Sequence, residues 1–140
     1  MSNPRALLAA FVLAAACRHQ REPEVGVSPP GAPVADTLRV ELGKSAAAAG
    51  GGVVVMFAAR LADSRCPANV TCVWTGDAAV RVVARAGGTS VDRVLHTGLE
   101  PQSLTVDRYT VTVVGLLPYP GSGVEGTPAV VLEVRASPAR

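Results

Sequence analysis

The chain has 140 residues, with 13 basic and 11 acidic side chains, a net charge of +2, 49% hydrophobic residues and only 4% aromatics. That length allows one domain rather than two, and a chain this rich in Val and Ala has too much apolar surface to be disordered throughout. The charge balance narrows to 9 basic against 8 acidic residues over 37–137, with no basic stripe, which argues against a nucleic-acid binder.

Met1 to Arg5 is a short start with one Arg, and Ala6 to Ala16 is an unbroken run of eleven apolar residues. This is the pattern of a secretory signal peptide. As a helix the run rises about 16 Å, short of a ~30 Å hydrocarbon core, so a permanent span is not expected. Leu13-Ala14-Ala15-Ala16-Cys17 resembles the lipobox of bacterial lipoproteins, with Leu13 one residue further from the Cys than usual. The resemblance implies that residues 1–16 are removed and that the Cys17 sulfur carries a diacylglycerol, a firm membrane anchor. Arg18, rather than Asp, follows the Cys, which by the same resemblance favours the outer membrane. An ordinary secretory peptide cut near Ala16 is the rival reading. Residues 17–36 hold Pro23, Pro29, Pro30 and Pro33, cannot continue a helix or a ladder, and read as a semi-extended tether.

From 37 to 137 the texture is that of strands. Period-two alternation places Leu38, Val40 and Leu42 on one face of 37–42, and Val53, Val55 and Phe57 on one face of 52–60. The other face of 52–60 is also apolar, as suits a central strand. Further strands are expected over 77–85, 90–97, 108–117 and 127–136, with Gly87-Gly88 as a hairpin turn. The run Ala46 to Ala49 is too short to nucleate a helix, is followed by three glycines, and reads as a loop. Six or seven strands with regular turn signals predict an all-β domain: an antiparallel β-sandwich, Ig-like or Greek-key, or a small barrel.

With Cys17 assigned to lipid, Cys66 and Cys72 remain as a pair. Export favours a disulfide between them, since two Cys without a second pair or a nearby His are too few for zinc. Around them runs Asp63-Ser64-Arg65-Cys66-Pro67, then Cys72-Val73-Trp74-Thr75-Gly76-Asp77. This DSRCP-x4-CVW-x-G stretch resembles a pattern in small exported bacterial proteins, many of them lipoprotein-like, that carry no assigned activity. The resemblance implies a shared fold and no particular ligand. Each residue has a structural explanation: Asp63 accepting from backbone N–H groups or from Arg65, Pro67 fixing φ, Gly76 at positive φ, and Trp74 packed over the bridge. The functional alternative makes Arg65, Trp74 and Asp77 an exposed recognition edge, an Arg and an aromatic together being what interface hot spots favour.

No nucleophile-elbow, phosphate-loop, dinucleotide or HExxH motif is present. His96 is the only His after the tether; a set with Ser64 and Asp63 or Asp77 can be drawn, but no spacing selects it. No carboxylate pair stands out as general acid and base. The expectation is therefore a non-catalytic protein, without cofactor or metal, anchored to the membrane by its N-terminal lipid. Its partner is expected to be an envelope protein or polymer. The alternative is an exported peptidase inhibitor that presents the Cys66–Cys72 loop.

Overall fold

Residues 35–137 are described by a computed structural model; the signal segment, Cys17 and nearly all of the tether lie outside them. The alternation of Val with polar residues becomes eight strands: β1 Ala35–Glu41, β2 Ser45–Ala47, β3 Val54–Asp63, β4 Ala78–Ala86, β5 Thr89–His96, β6 Ser103–Val106, β7 Tyr109–Leu117 and β8 Ala129–Ala136. They form two antiparallel four-stranded sheets, in the orders β1-β8-β7-β6 and β2-β3-β4-β5. The sheets are not closed into a barrel, and the architecture is a β-sandwich. On β4 the inward residues Ala78, Val80, Val82, Ala84 and Ala86 are buried while Arg81 and Arg85 face water. Val111 and Val113 of β7 and Val130, Leu132 and Val134 of β8 meet them from the other sheet. Burying each such side chain contributes about 1.5–3 kcal/mol.

Two expectations need correction. There are eight strands rather than six or seven, because short β2 and β6 were not foreseen. Ser45–Ala47 is a strand and not a loop because Val54–Met56 pairs with it; tertiary pairing decides where local propensity is weak. The expected antiparallel sandwich is the architecture, as two open sheets. β2 to β5 and β6 to β8 are each consecutive neighbours, and β1 is added beside β8.

The connections divide by end. At one end lie the residues 48–53, with the short 3-10 turn Ala49–Gly51, and the two-residue links Gly87-Gly88 and Asp107-Arg108. Gly87 and Gly88 both have positive φ, as a tight hairpin requires. The chain also enters and leaves at this end, where Ala35 pairs with Arg135. At the opposite end lie the link 42–44 and three long loops, 64–77, 97–102 and 118–128. β3 reaches this end through two bulges, at Phe57/Ala59 and Arg60/Ala62. They carry it three residues beyond the expected Arg60 and bring Arg60 into register with Val80; the two shifts cancel by Asp63, which stands opposite Ala78 on the face that Val55 and Phe57 share.

Candidate functional site

The loop 64–77 is braced at its base. Ser64 N–H donates to the Asp77 carbonyl at 2.7 Å, and Cys66 N–H donates to the Thr75 carbonyl at 2.8 Å. Gly76 has φ +75°, and a Cβ there would stand 2.0 Å from the Ser64 carbonyl oxygen, so the expected positive-φ glycine is also a close approach of two backbones. Cys66 and Cys72 form the expected disulfide, with Cα atoms 5.9 Å apart. Ala68 N–H donates to the Pro120 carbonyl at 2.8 Å, tying this loop to its neighbour 118–128. Pro67 lies at that junction, where a Cβ on Gly121 would meet its ring.

Arg65 is buried and serves both sheets. Its Nε and Nη2 donate to the two oxygens of Asp63, each at 2.8 Å, a bidentate pair. Nη1 donates to the Leu116 carbonyl at 2.5 Å and Nη2 to the Pro118 carbonyl at 3.2 Å, while the guanidinium lies 4.8 Å from the Tyr119 ring centroid. One side chain thus fastens the end of β3 to the end of β7. Asp63 also accepts from the Arg65 backbone N–H at 3.4 Å, the two roles expected of it. Hydrogen bonding from Arg65 holds its carboxyl below the usual carboxylate range, against the opposing push of burial.

Asp77 is buried in the same end. Its Oδ2 lies 2.6 Å from His96 Nδ1, which carries the hydrogen because an ionised carboxylate only accepts. Its Oδ1 accepts from Gly98 N–H at 2.8 Å. Burial pushes the Asp77 carboxyl up, but the His96 and Gly98 hydrogen bonds outweigh it, and the net shift is downward. Ser64 Oγ, the imagined nucleophile, donates at 3.1 Å to the Asp77 carbonyl and makes no hydrogen bond to His96. The structure therefore brings His96 and Asp77 together as a positioned pair, with Ser64 occupied by backbone. Among the described residues, no three His, Cys, Asp or Glu side chains gather as a metal site.

Neither reading of the motif survives whole. Trp74 is 58% exposed, so it does not seal the disulfide. Arg65 and Asp77 are 8% and 7% exposed and are not part of a surface edge; both are committed to holding loops. What the loop offers to solvent is its apolar tip: Val70, Val73 and Trp74, with Val73 fully exposed. The same end also exposes Leu61, Leu99, Val114, Tyr119 and Val124, so that among the described residues eight of the nine exposed large apolar residues lie here, Val54 being the ninth. Sequence reading missed Tyr119, although an aromatic flanked by Pro118 and Pro120 before Gly121 was a signal for an exposed ring. Sequence reading drew His96 with Asp63 or Asp77 without selecting between them, although the Gly87-Gly88 turn sets Ala79 opposite His96 and so makes Asp77 its near neighbour.

No protein-family model, no curated protein and no solved structure matches this chain.

Proposed function

We propose that this protein is a non-catalytic binding module of the bacterial cell envelope, held by a lipid on Cys17 and presenting its loop end to an envelope protein or polymer. The observation that carries this reading is the gathering of exposed apolar side chains at one end, on strand ends and loops that the disulfide and Arg65 brace. Clustered apolar exposure of this kind marks interaction surfaces. The chain enters the sandwich at the other end, so a tether there leaves the loop end free to face away from its anchor. Ser64, bonded to backbone rather than to His96, supports the non-catalytic part of the reading.

The test is co-purification from detergent-solubilised envelope, comparing the native chain with Trp74→Ala and Val73→Ser. A partner retained by the native chain and lost by both variants, at unchanged melting temperature, is expected. Equal recovery with all three would reject the reading. Mass spectrometry of the N-terminus tests the anchor, and an unmodified mature N-terminus would remove it. The rigid tip with Val73 fully exposed also suits a plug for a peptidase cleft. Inhibition across a peptidase panel that Val73→Ser abolishes would select that second reading.

A further inference from the structure

Strand β3 runs from Val54 to Asp63, yet β2 covers only Val54–Met56. The link before β2 extends the cover by one residue: Gly43 N–H donates to the Phe57 carbonyl and Phe57 N–H to the Lys44 carbonyl, at 2.8 and 3.1 Å. From Ala58 onward β3 is the edge of its sheet. The ladder with β4 decides which backbone groups face outward. Ala78 directs its backbone to Thr97 on the β5 side, with Thr97 N–H donating to the Ala78 carbonyl at 3.0 Å. Alternate β4 residues turn the same way, so the β3 residues opposite them point their N–H and C=O away from β4. Those residues are Phe57, opposite Val82, Arg60, opposite Val80, and Asp63, opposite Ala78. Phe57 is satisfied by the link, whereas no strand among the described residues pairs with the outer side of Arg60 and Asp63.

Beside this edge lies an open groove of about 720 Å³, walled on one side by 60–63 and on the other by 118–125. The far wall is braced, because Arg65 holds the carbonyls of Leu116 and Pro118 and Ala68 holds that of Pro120. The groove is thus a built feature of the loop end.

We propose that this groove takes an extended polypeptide segment of a partner protein, which adds a strand to β3 by pairing with the backbone of Arg60 and Asp63. This rests on the loop end being a binding surface and names the chemistry of what it takes. Unpaired N–H and C=O groups along a strand edge select an extended chain, whose own donors and acceptors repeat at the matching interval. A saccharide or a helix offers no such row. The walls add side-chain selection: Arg60 and Glu125 supply one charge of each sign, and Leu61, Tyr119 and Val124 supply apolar contact. The bulges and Arg60 also work against edge-to-edge pairing with a second copy, which a long flat edge would invite.

The test uses random linear peptides of about ten residues, displayed on phage and panned against the protein purified from the envelope in detergent with its disulfide intact. Residue-level amide hydrogen exchange then follows Arg60 and Asp63. Both amides are expected to exchange fast in the free protein and at least about tenfold slower with a selected peptide at saturation. A copy of that peptide N-methylated at alternate residues is expected to bind at least about tenfold more weakly. The proposal is overturned by failure to enrich any peptide, by peptides that leave the two amides unchanged, or by N-methylated copies that bind equally. Protection without peptide that grows with protein concentration would assign the edge to a second copy and also overturn it. If a crosslinker at Val73 captures a partner while these amides stay unprotected, the loop end binds, but not by strand addition. If neither responds, the binding-surface reading falls as well.

Discussion

Between β4 and β5 the chain reverses in two residues, Gly87 and Gly88, and between β6 and β7 in two more, Asp107 and Arg108; at the opposite end it takes residues 64–77 to pass from β3 to β4. The short turns do what a hairpin needs and leave no apolar tip. The long loop does more than closure requires. It carries a disulfide, a bidentate ion pair whose Arg reaches one carbonyl of β7 and one of the loop after it, and a glycine backed against a carbonyl. It then holds Val73 and Trp74 in water. Ordering loop residues costs roughly 1–2 kcal/mol each in backbone entropy. Bracing of this density makes physical sense where a surface must be held in one shape, and the contrast between the ends is the basis of the functional reading.

The largest effect that could break this contrast is at Arg65. Arg65→Met strands the Asp63 carboxylate and two carbonyls, and a loss of about 3–5 kcal/mol is expected in urea denaturation. A loss no larger than that of an ordinary surface change would mean that the loop end is not braced as described. Arg81→Met, whose pair with Asp92 lies out in solvent, should leave the midpoint where it is. Next come two glycines, one at each end. Gly76→Ala drives a Cβ into the Ser64 carbonyl and should cost more than about 2 kcal/mol. Gly88→Ala, at φ +81° with open space around it, should cost only about 1 kcal/mol. Equal costs at the two glycines would erase the distinction.

Replacing Cys66 and Cys72 together by Ser should lower stability by about 2 kcal/mol, the entropy of a short closed loop. Acid should act through this end too. The carboxyls of Asp63 and Asp77 are both depressed in the folded state. Their contribution is therefore complete above the ordinary carboxylate pKa of about 3.9 and is lost as pH falls below it through the folded values. Asp63→Asn should flatten that acid limb of the stability curve, and an unchanged limb would contradict the assignment. Smallest of all, Trp74→Ala should shift stability by no more than about 0.5 kcal/mol while abolishing partner capture. A large loss would restore the packed-indole role.

The strand pattern was legible because apolar residues recur at every second position in β1, β4, β7 and β8, and the buried faces there are those the alternation marks. The short β2 and β6 were not, since three or four residues hold too little pattern and their partners lie elsewhere in the chain. The bulges in β3 were equally hidden. Periodicity cannot reveal the inserted residues that bring Arg60 into register with Val80; Asp63 keeps the face that alternation from Val55 and Phe57 gives it, because the two bulges cancel. The motif stands out in the sequence, but which of its residues face water depends on the loop path. Arg65 and Asp77 proved internal because the carbonyls of β7, the Gly98 amide and the His96 ring were within reach, partners that spacing alone does not display.

The central claim is that the loop end, and not the turn end, meets a partner. A photo-crosslinking residue at Val73, set against one at Ser90 beside the Gly87-Gly88 turn, tests it in living cells. A discrete adduct from position 73 and none from position 90 is predicted. Adducts of equal yield from both positions, or from neither, would contradict it.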